Sequence, residues 1–520
     1  MNNVAPIPNH NGKGYVENDS GDEIARIQDE VQKKVESEKK QIFSADSAFS
    51  DKKILEALSN NEDGDAGLFI ELNRDRFIYD YSAKEWNIFR WHHWEADSAG
   101  DALGSVSGVA DLYKKVVISL TTKQLNSDNP KDYEKLIDNL KKRIHDLRSL
   151  KRKKSVLNLA QTGSDSLVIG GDRWDADPML FAVANGIIDL RTGELRPGKP
   201  DDFIKLTSPV IFKGINEPAP LWEKFQLEIC NGDADLVKFK QRFWGYCLTG
   251  KISEEKILIQ EGKGRNGKTV ENECLFRVFG DSARSIDPET LMQSKRQAGA
   301  ASPDIVELKG IRLAIGSETG KGRRFNGEKV KKLTGNDKLK GRNLFSGYIE
   351  FSPSHKLVLC TNFKPNADAD DYAFWQRVLL VPYSISFVEN PIAANERKAD
   401  LQLLEKLKAE TSGILTWLVQ GCLAWQKEGL NPPSCVQKAT EDYRAEEDVI
   451  GQFIEECCIK GPDKIVRVSI LTEKYAKWCT ETGNEAVRIK DFKKTIEQRF
   501  KKLPPKNTGI YYSGIGLFEN

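Results

Sequence analysis

The residues with the most specific chemistry are Gly262, Lys263, Gly264, Arg265, Asn266, Gly267, Lys268 and Thr269. They match the pattern G-x-x-x-x-G-K-[ST] in full. Glycines in such a loop let backbone N–H groups close around phosphate oxygens. Lys268 is placed to neutralise β- and γ-phosphates, and Thr269 to offer its hydroxyl to Mg2+. ATP and Mg2+ are therefore the expected ligands. The flanks agree: residues 256–260 read as a strand entering the loop and 270–279 as a helix leaving it. A chance glycine-rich turn is the competing explanation, and those flanks weigh against it.

Hydrolysis also needs a carboxylate at the end of a neighbouring strand, to order Mg2+ or the attacking water. Residues 311–315 (IRLAI) read as such a strand, closed by Gly316, Ser317 and Glu318. Glu318 is the candidate acid, holding Mg2+ through water. Residues 356–362 (KLVLCTN) form another apolar run, ending in Asn362. Asn362 is a candidate to hold the attacking water; alternatively it opens the turn before Lys364 and Pro365. Arg377 stands just before the apolar run VLLVP, where an arginine can stabilise charge on a transferring phosphoryl group. Between these strands, residues 321–342 carry nine basic residues against two acids, in a chain whose net charge is +1. Charge focused in this way suits a nucleic-acid backbone, with a solvated loop as the alternative.

The order of these parts resembles superfamily 3 helicases. The parts are the P-loop, a strand ending in Glu318, KKLTGND-x-L-x-x-R over 331–342, a strand ending in Asn362, and W-x-R at 375–377. More narrowly, it is similar to the phage, plasmid and poxvirus type of primase-helicase ATPase. The resemblance extends upstream through ANGIIDLRTGEL (184–195), DDFI (201–204) and GYCLTG (245–250), and covers most of residues 70–520. It implies an AAA+ core that assembles as a ring, a homo-hexamer or similar, with ATP sites between subunits. It carries Lys268 and Thr269 over as nucleotide ligands, Glu318 as Walker B acid, Asn362 as sensor and Arg377 as finger. Residues 332–342 would lead into a hairpin in the central channel, with Lys338, Lys340 and Arg342 as the DNA contacts. Two departures stand out. Many relatives have two adjacent acids at Walker B, whereas Ser317 precedes Glu318 here. Many also carry a primase-polymerase domain upstream, for which the roughly 60 residues ahead of the second unit are too few. No primer synthesis is expected of this chain, and a separate primase or polymerase is an expected partner.

These motifs must be positioned by a chain of 520 residues, long enough for roughly two to four domains. Lys plus Arg number 78 and Asp plus Glu 77, so nucleic-acid contact must come from local patches rather than overall charge. Nine cysteines without a C-x-x-C pair, and five histidines, give no zinc spacing. Reduced thiols in a cytoplasmic protein are expected, with no leader and no membrane span. The expected organisation is a flexible or helical lead-in over 1–64 and an α+β domain over 65–220. An α/β AAA+ P-loop ATPase core follows over 221–395, then a helical segment over 396–460 and a winged-helix domain over 461–520.

In the α+β domain the pieces GLFIEL (67–72), DRFIYDY (75–81) and SLVIG (166–170) look strand-like. Trp86, Trp91, Trp94 and Trp174 read as core anchors rather than base-stacking platforms. Residues 141–154 hold eight basic residues against one acid, Asp146, and read as a solvated helix face, with DNA contact as the alternative. In the last unit, Ile470, Leu471, Tyr475 and Trp478 mark one helix, and Ile489, Phe492 and Ile496 the apolar face of a second. Lys490, Lys493 and Lys494 fall on its other face, as a groove-docking helix requires. Residues 510–517 would supply the wing strands.

Taken together these readings give an ATP-dependent DNA helicase for replication of a mobile element or virus, acting on single-stranded and forked DNA. One alternative is an AAA+ initiator or loader that hydrolyses ATP without processive unwinding. A second is a structural DNA-binding protein with an inactive ATP site, which intact Lys268, Thr269, Glu318 and Arg377 argue against.

Overall fold

Four short apolar runs and one edge strand, ARSI, whose Arg284 and Ser285 are exposed, build the central sheet. Numbered in chain order within this sheet, they are β1 (Ile257–Glu261), β2 (Ala283–Ile286), β3 (Leu313–Ser317), β4 (Lys356–Thr361) and β5 (Val378–Pro382). All pairs are parallel, in the order β5-β1-β4-β3-β2. Parallel strands are near-continuously apolar because helices cover both faces. Here Leu258, Leu313, Ile315, Val358, Leu379 and Val381 enter one core layer, and Ile257, Ile259, Ala314, Leu357, Leu359 and Leu380 the other. The fold is a multidomain mixture of α and β structure, which we describe from a computed structural model covering residues 49–293, 301–317, 320–343, 347–484, 486–505 and 507–518. The polar start at 1–20 and the charged helix expected at 22–40 lie outside the described residues.

Two compact units emerge, one from residues 1–74 with 97–168, the other from 75–96 with 169–520. The first is helical where described: Asp51–Ser59, Asn61–Asn73, Asp101–Ser105, Ser107–Leu125, Lys131–Asp146 and Leu150–Ala160. This structure buries Ile54 and Ala57 within the expected lead-in and packs Gly64 against the Ala57 carbonyl. It also corrects the strand-like reading of GLFIEL, which lies inside Asn61–Asn73. A short apolar run fits a buried helix as well as a strand, so its pattern alone does not decide.

The second unit holds everything else. Its first strands, Phe77–Asp80, Glu85–Arg90 and His93–Ala96, pair antiparallel. Trp94 is buried there and donates to the Pro200 carbonyl at 2.9 Å, as an anchor should. Trp91, by contrast, is exposed, with φ 59° in a turn. The expected α+β domain over 65–220 is thus shared between both units. Within ANGIIDLRTGEL, Gly186–Asp189 pairs with Glu194–Arg196 around Gly193, φ 79°.

At the C-terminal end, Cys458–Arg467, Tyr511–Leu517 and Lys501–Lys502 form an antiparallel sheet with Tyr511–Leu517 in the middle. Helices Val468–Thr482 and Ile489–Arg499 cover it. Ile450, Phe453 and Ile454, from helix Val449–Cys457, belong to the same core. That core therefore begins upstream of residue 461. Leu471, Tyr475, Trp478, Phe492 and Ile496 are buried as expected, whereas Ile470 and Ile489 are exposed. No helix among the described residues is long and apolar enough to cross a membrane.

Candidate nucleotide site and nucleic-acid hairpin

The loop between β1 and helix Lys268–Phe279 owes its shape to backbone conformations that ordinary residues avoid. Gly264 (φ 97°), Arg265 (φ 51°) and Gly267 (φ 86°) all take positive φ. Left-handed backbone costs a residue with a Cβ but not glycine. Gly262 has a second constraint: a Cβ there would lie 2.2 Å from Asn266 Nδ2 and 2.6 Å from the Tyr383 carbonyl oxygen. Gly267 caps the helix without any side-chain hydrogen bond. The first N–H groups of a helix have no partner within it, so this end presents donors and a positive dipole to an anion.

Lys268 is buried, and Thr269 beside it is exposed. The Lys268 ammonium donates to the Gly262 carbonyl at 2.6 Å and to Asn362 Oδ1 at 3.4 Å. Burial lowers its pKa below the ordinary lysine value, with Cys360 and Glu261 opposing. The register explains why Asn362 arrives there. Thr361 of β4 pairs with Glu261 of β1, so the residue after β4 stands beside the residue that opens the loop. Ser317, at the end of β3, pairs with Cys360 on the same edge. Glu318 lies outside the described residues.

Arg377 occupies the other end of the sheet. It immediately precedes β5, whose Val378 pairs with Ile257 at the start of β1. Five residues of strand, ~17 Å, separate it from the loop of its own chain. Its guanidinium pairs with Glu255 at 2.7 Å and donates to the Ala373 carbonyl at 2.9 Å.

Sequence reasoning missed a polar network beneath the loop. Glu271, two residues after Thr269, is fully buried and pairs with buried Lys240 at 2.9 Å. It also accepts from Gln226 and Trp244 Nε1 at 3.0 Å each, and from the Tyr383 hydroxyl. Tyr383 continues from β5 and donates its backbone N–H to Glu261. Burial, with Glu271 adding to it, pushes the Tyr383 phenol well above its usual range. The signal was an acid in the apolar register of the helix, surrounded by Val270, Cys274 and Leu275.

The basic segment forms the expected hairpin. Leu339–Gly341 pairs antiparallel with Ile349–Phe351, and buried Leu339 and Phe351 anchor it. Lys338 and Lys340 are exposed, and Arg342 is half-buried. Tyr348, 58% exposed, was not foreseen; Lys340 Nζ lies 4.8 Å and the Arg342 guanidinium 5.4 Å from its ring centroid. In the C-terminal core, Lys490 and Lys494 are exposed and Lys493 half-buried, away from Phe492 and Ile496. Thr495 and Arg499 of that helix instead bond Asp370. Thus the structure joins Lys268, Asn362 and the loop, and leaves Arg377, the hairpin and the terminal lysines elsewhere.

Residues 66–231 match the family described as D5 N terminal like. Two viral relatives are named as putative helicases. One, from Acanthamoeba polyphaga mimivirus, is 27% identical over 459 residues, covering 84% of this chain and 47% of its own. The other, from Frog virus 3 (isolate Goorha), is 27% identical over 381 residues, covering 59% and 39%. The chain therefore spans less than half the length of these relatives. Among solved structures, the NrS-1 C terminal region aligns over 85% of this chain and 96% of its own, at 11% identity and a TM-score of 0.45.

Proposed function

We propose that this chain is an ATP-driven DNA helicase of the superfamily 3 type, serving replication of a virus or mobile element. The observation that carries the reading is the convergence of Lys268 and Asn362 on one edge of a parallel sheet, at a helix end with free donors. Strand order β5-β1-β4-β3-β2, with the loop after β1 and Asn362 after β4, supports an AAA+ core. Viral relatives named as helicases support the use of nucleotide and nucleic acid.

ATP would place its phosphates on the loop N–H groups of residues 262–269 and on Lys268. Thr269, which is exposed, and Glu318 would hold Mg2+, Glu318 through water. The metal would supply charge on the β- and γ-phosphate oxygens. Asn362 would orient the attacking water from beside Lys268. Arg377 stands too far from its own loop to serve it, which supports action on a neighbour's nucleotide in a ring. Lys338, Lys340 and Arg342, with Tyr348 between the latter two, would track single-stranded DNA by charge and stacking. The two helices and sheet of the C-terminal core suit a winged helix, with Lys490, Lys493 and Lys494 facing duplex DNA.

A forked duplex with a labelled strand tests this. Strand release that needs ATP and is lost in Lys268→Ala is expected. DNA-stimulated ATP hydrolysis without strand release would instead favour an initiator or loader.

A further inference from the structure

Eight basic residues between Lys141 and Lys154 read as one solvated face in the sequence, but the structure sorts them into two groups. Arg143, in the last turn of helix Lys131–Asp146, and Arg152, in the first turn of Leu150–Ala160, share one fully buried carboxylate. Arg143 reaches Asp65 Oδ1 at 3.0 Å, and Arg152 reaches Asp65 Oδ2 at 2.6 Å. The Tyr113 hydroxyl donates to the same carboxylate at 2.8 Å. These two arginines are structural. A buried, doubly paired carboxylate pins the end of one helix to the start of the next.

The other six are gathered by that joint. Lys141, Lys142, Arg148, Lys151 and Lys154 are exposed and Lys153 is half-buried. Among the described residues, none pairs with or hydrogen-bonds the charged end of any of the six. Lys151 and Lys153 also sit in a first helical turn that contains no acid. Cations there oppose the helix dipole, so local stability does not account for them. An anionic partner would relieve both the dipole and their mutual repulsion.

We infer that this corner of the helical unit is a second DNA contact, one that binds the phosphate backbone of duplex DNA. It rests on the helicase reading only in taking DNA as the partner. Duplex is favoured over single strand because residues 141–154 contain no Phe, Tyr or Trp, the larger rings that stack bases best, and His145 is their one ring. DNA is favoured over an anionic membrane because the corner exposes one large apolar side chain, Leu150, and acids Asp132, Glu134 and Asp138 line the exposed surface of the preceding helix.

The test compares the full chain with a variant carrying Lys141→Ala, Lys142→Ala, Arg148→Ala and Lys151→Ala. Binding to a labelled blunt duplex of random sequence is followed by fluorescence anisotropy across a series of KCl concentrations. Each phosphate left unneutralised should lower the slope of log K against log salt by ~0.9 on duplex. A slope reduced by two or more such steps, with unchanged circular dichroism and ATP turnover without DNA, is expected. Restoring the charge as arginine at all four positions should recover the slope. An unchanged slope overturns the proposal, as does loss of binding to phosphatidylserine vesicles with duplex binding intact. Failure of the helicase reading would show separately, as absent strand release by the unmodified chain that still binds duplex through this corner.

Discussion

Lys268 Nζ lies 3.4 Å from Asn362 Oδ1, so the cation of the glycine-rich loop and the polar end of the neighbouring strand share one hydrogen bond. Residues 94 apart in sequence meet because β1 and β4 are adjacent and in register. If the lysine leaves Asn362 to engage a γ-phosphate, Asn362 is freed to bind water.

This exchange separates the two residues kinetically. Lys268→Ala should nearly abolish ATP hydrolysis and weaken nucleotide binding, with circular dichroism unchanged. Asn362→Ala should retain nucleotide affinity within a few-fold and lose turnover by ~10²–10³, the range for one transition-state donor. Steady-state ATPase with a fluorescent nucleotide titration measures both. Equal loss of affinity in the two variants would show that Asn362 acts only through Lys268.

The hairpin makes a different demand. Lys340 and Arg342 flank the Tyr348 ring, so charge and stacking are joined in one place. Replacing Lys338, Lys340 and Arg342 by alanine should lower the salt slope on single-stranded DNA by ~0.7 for each phosphate no longer neutralised. Tyr348→Ala should weaken binding by ~1–3 kcal/mol if a base stacks there, and leave the slope in place. Identical slopes in the triple variant would move the DNA contact elsewhere.

Arg377 is committed to Glu255 within its own chain, 2.7 Å away. A finger acting on a neighbour must leave that pair or share it. Arg377→Ala should bind ATP and hydrolyse it poorly, and mixing it with Lys268→Ala subunits should restore part of the activity. Glu255→Gln frees the arginine and should preserve turnover. Loss of folding cooperativity in both variants, with no recovery in mixtures, would make Arg377 a structural partner of Glu255.

The loop and four of the five sheet strands were legible in the sequence because each signal is local, whereas Ala283–Ile286, with Arg284 and Ser285 exposed, was not. The glycine-rich loop dictates its own geometry, and strands buried on both faces read as apolar runs. What was not legible depends on the fold. Glu271 looks like any helical acid until Lys240, Tyr383, Gln226 and Trp244 surround it. Gly67 to Leu72 gave no period that separates a helix from a strand. The C-terminal core recruits helix Val449–Cys457 and strand Cys458–Arg467, so a truncation after Gly461 would cut the strand. A cut before Asp448 removes that core whole.

The network beneath the loop yields a further expectation. Tyr383 touches Glu271 with its hydroxyl, and its backbone carbonyl accepts from Asn266 of the loop at 3.4 Å. Glu271→Ala would leave Lys240 charged and unpaired in the core, which costs ~3–5 kcal/mol. Tyr383→Phe removes only the hydroxyl and should cost ~1–2 kcal/mol, with a modest rise in KM for ATP. Urea unfolding and ATPase titrations check both. A Glu271→Ala variant as stable as the parent would mean that the pair contributes nothing.

Lys356, at the start of β4, sets a pH dependence of the opposite sign to an exposed lysine pair. It is fully buried against the Tyr246 ring and donates to the carbonyls of Thr249 and Ser354. Burial pulls its pKa down to about 7, with Arg312 pulling the same way and Cys247 and Cys422 opposing. In the unfolded chain it titrates at its ordinary value near 10.5. Between these limits the unfolded state binds more protons than the folded one, so stability must rise with pH across that window. Below about 7 both states are protonated, and this contribution is flat. Neighbouring His355, held down at about 4 by burial, gives the same sign between about 4 and 6.5. Urea midpoints of the full chain should therefore increase from pH 7 to pH 9, and Lys356→Met should remove much of that rise. It should also raise stability at pH 7, because a buried methionine has no ammonium to desolvate. A rise of equal size in Lys356→Met would assign the pH dependence to other groups and leave Lys356 charged throughout.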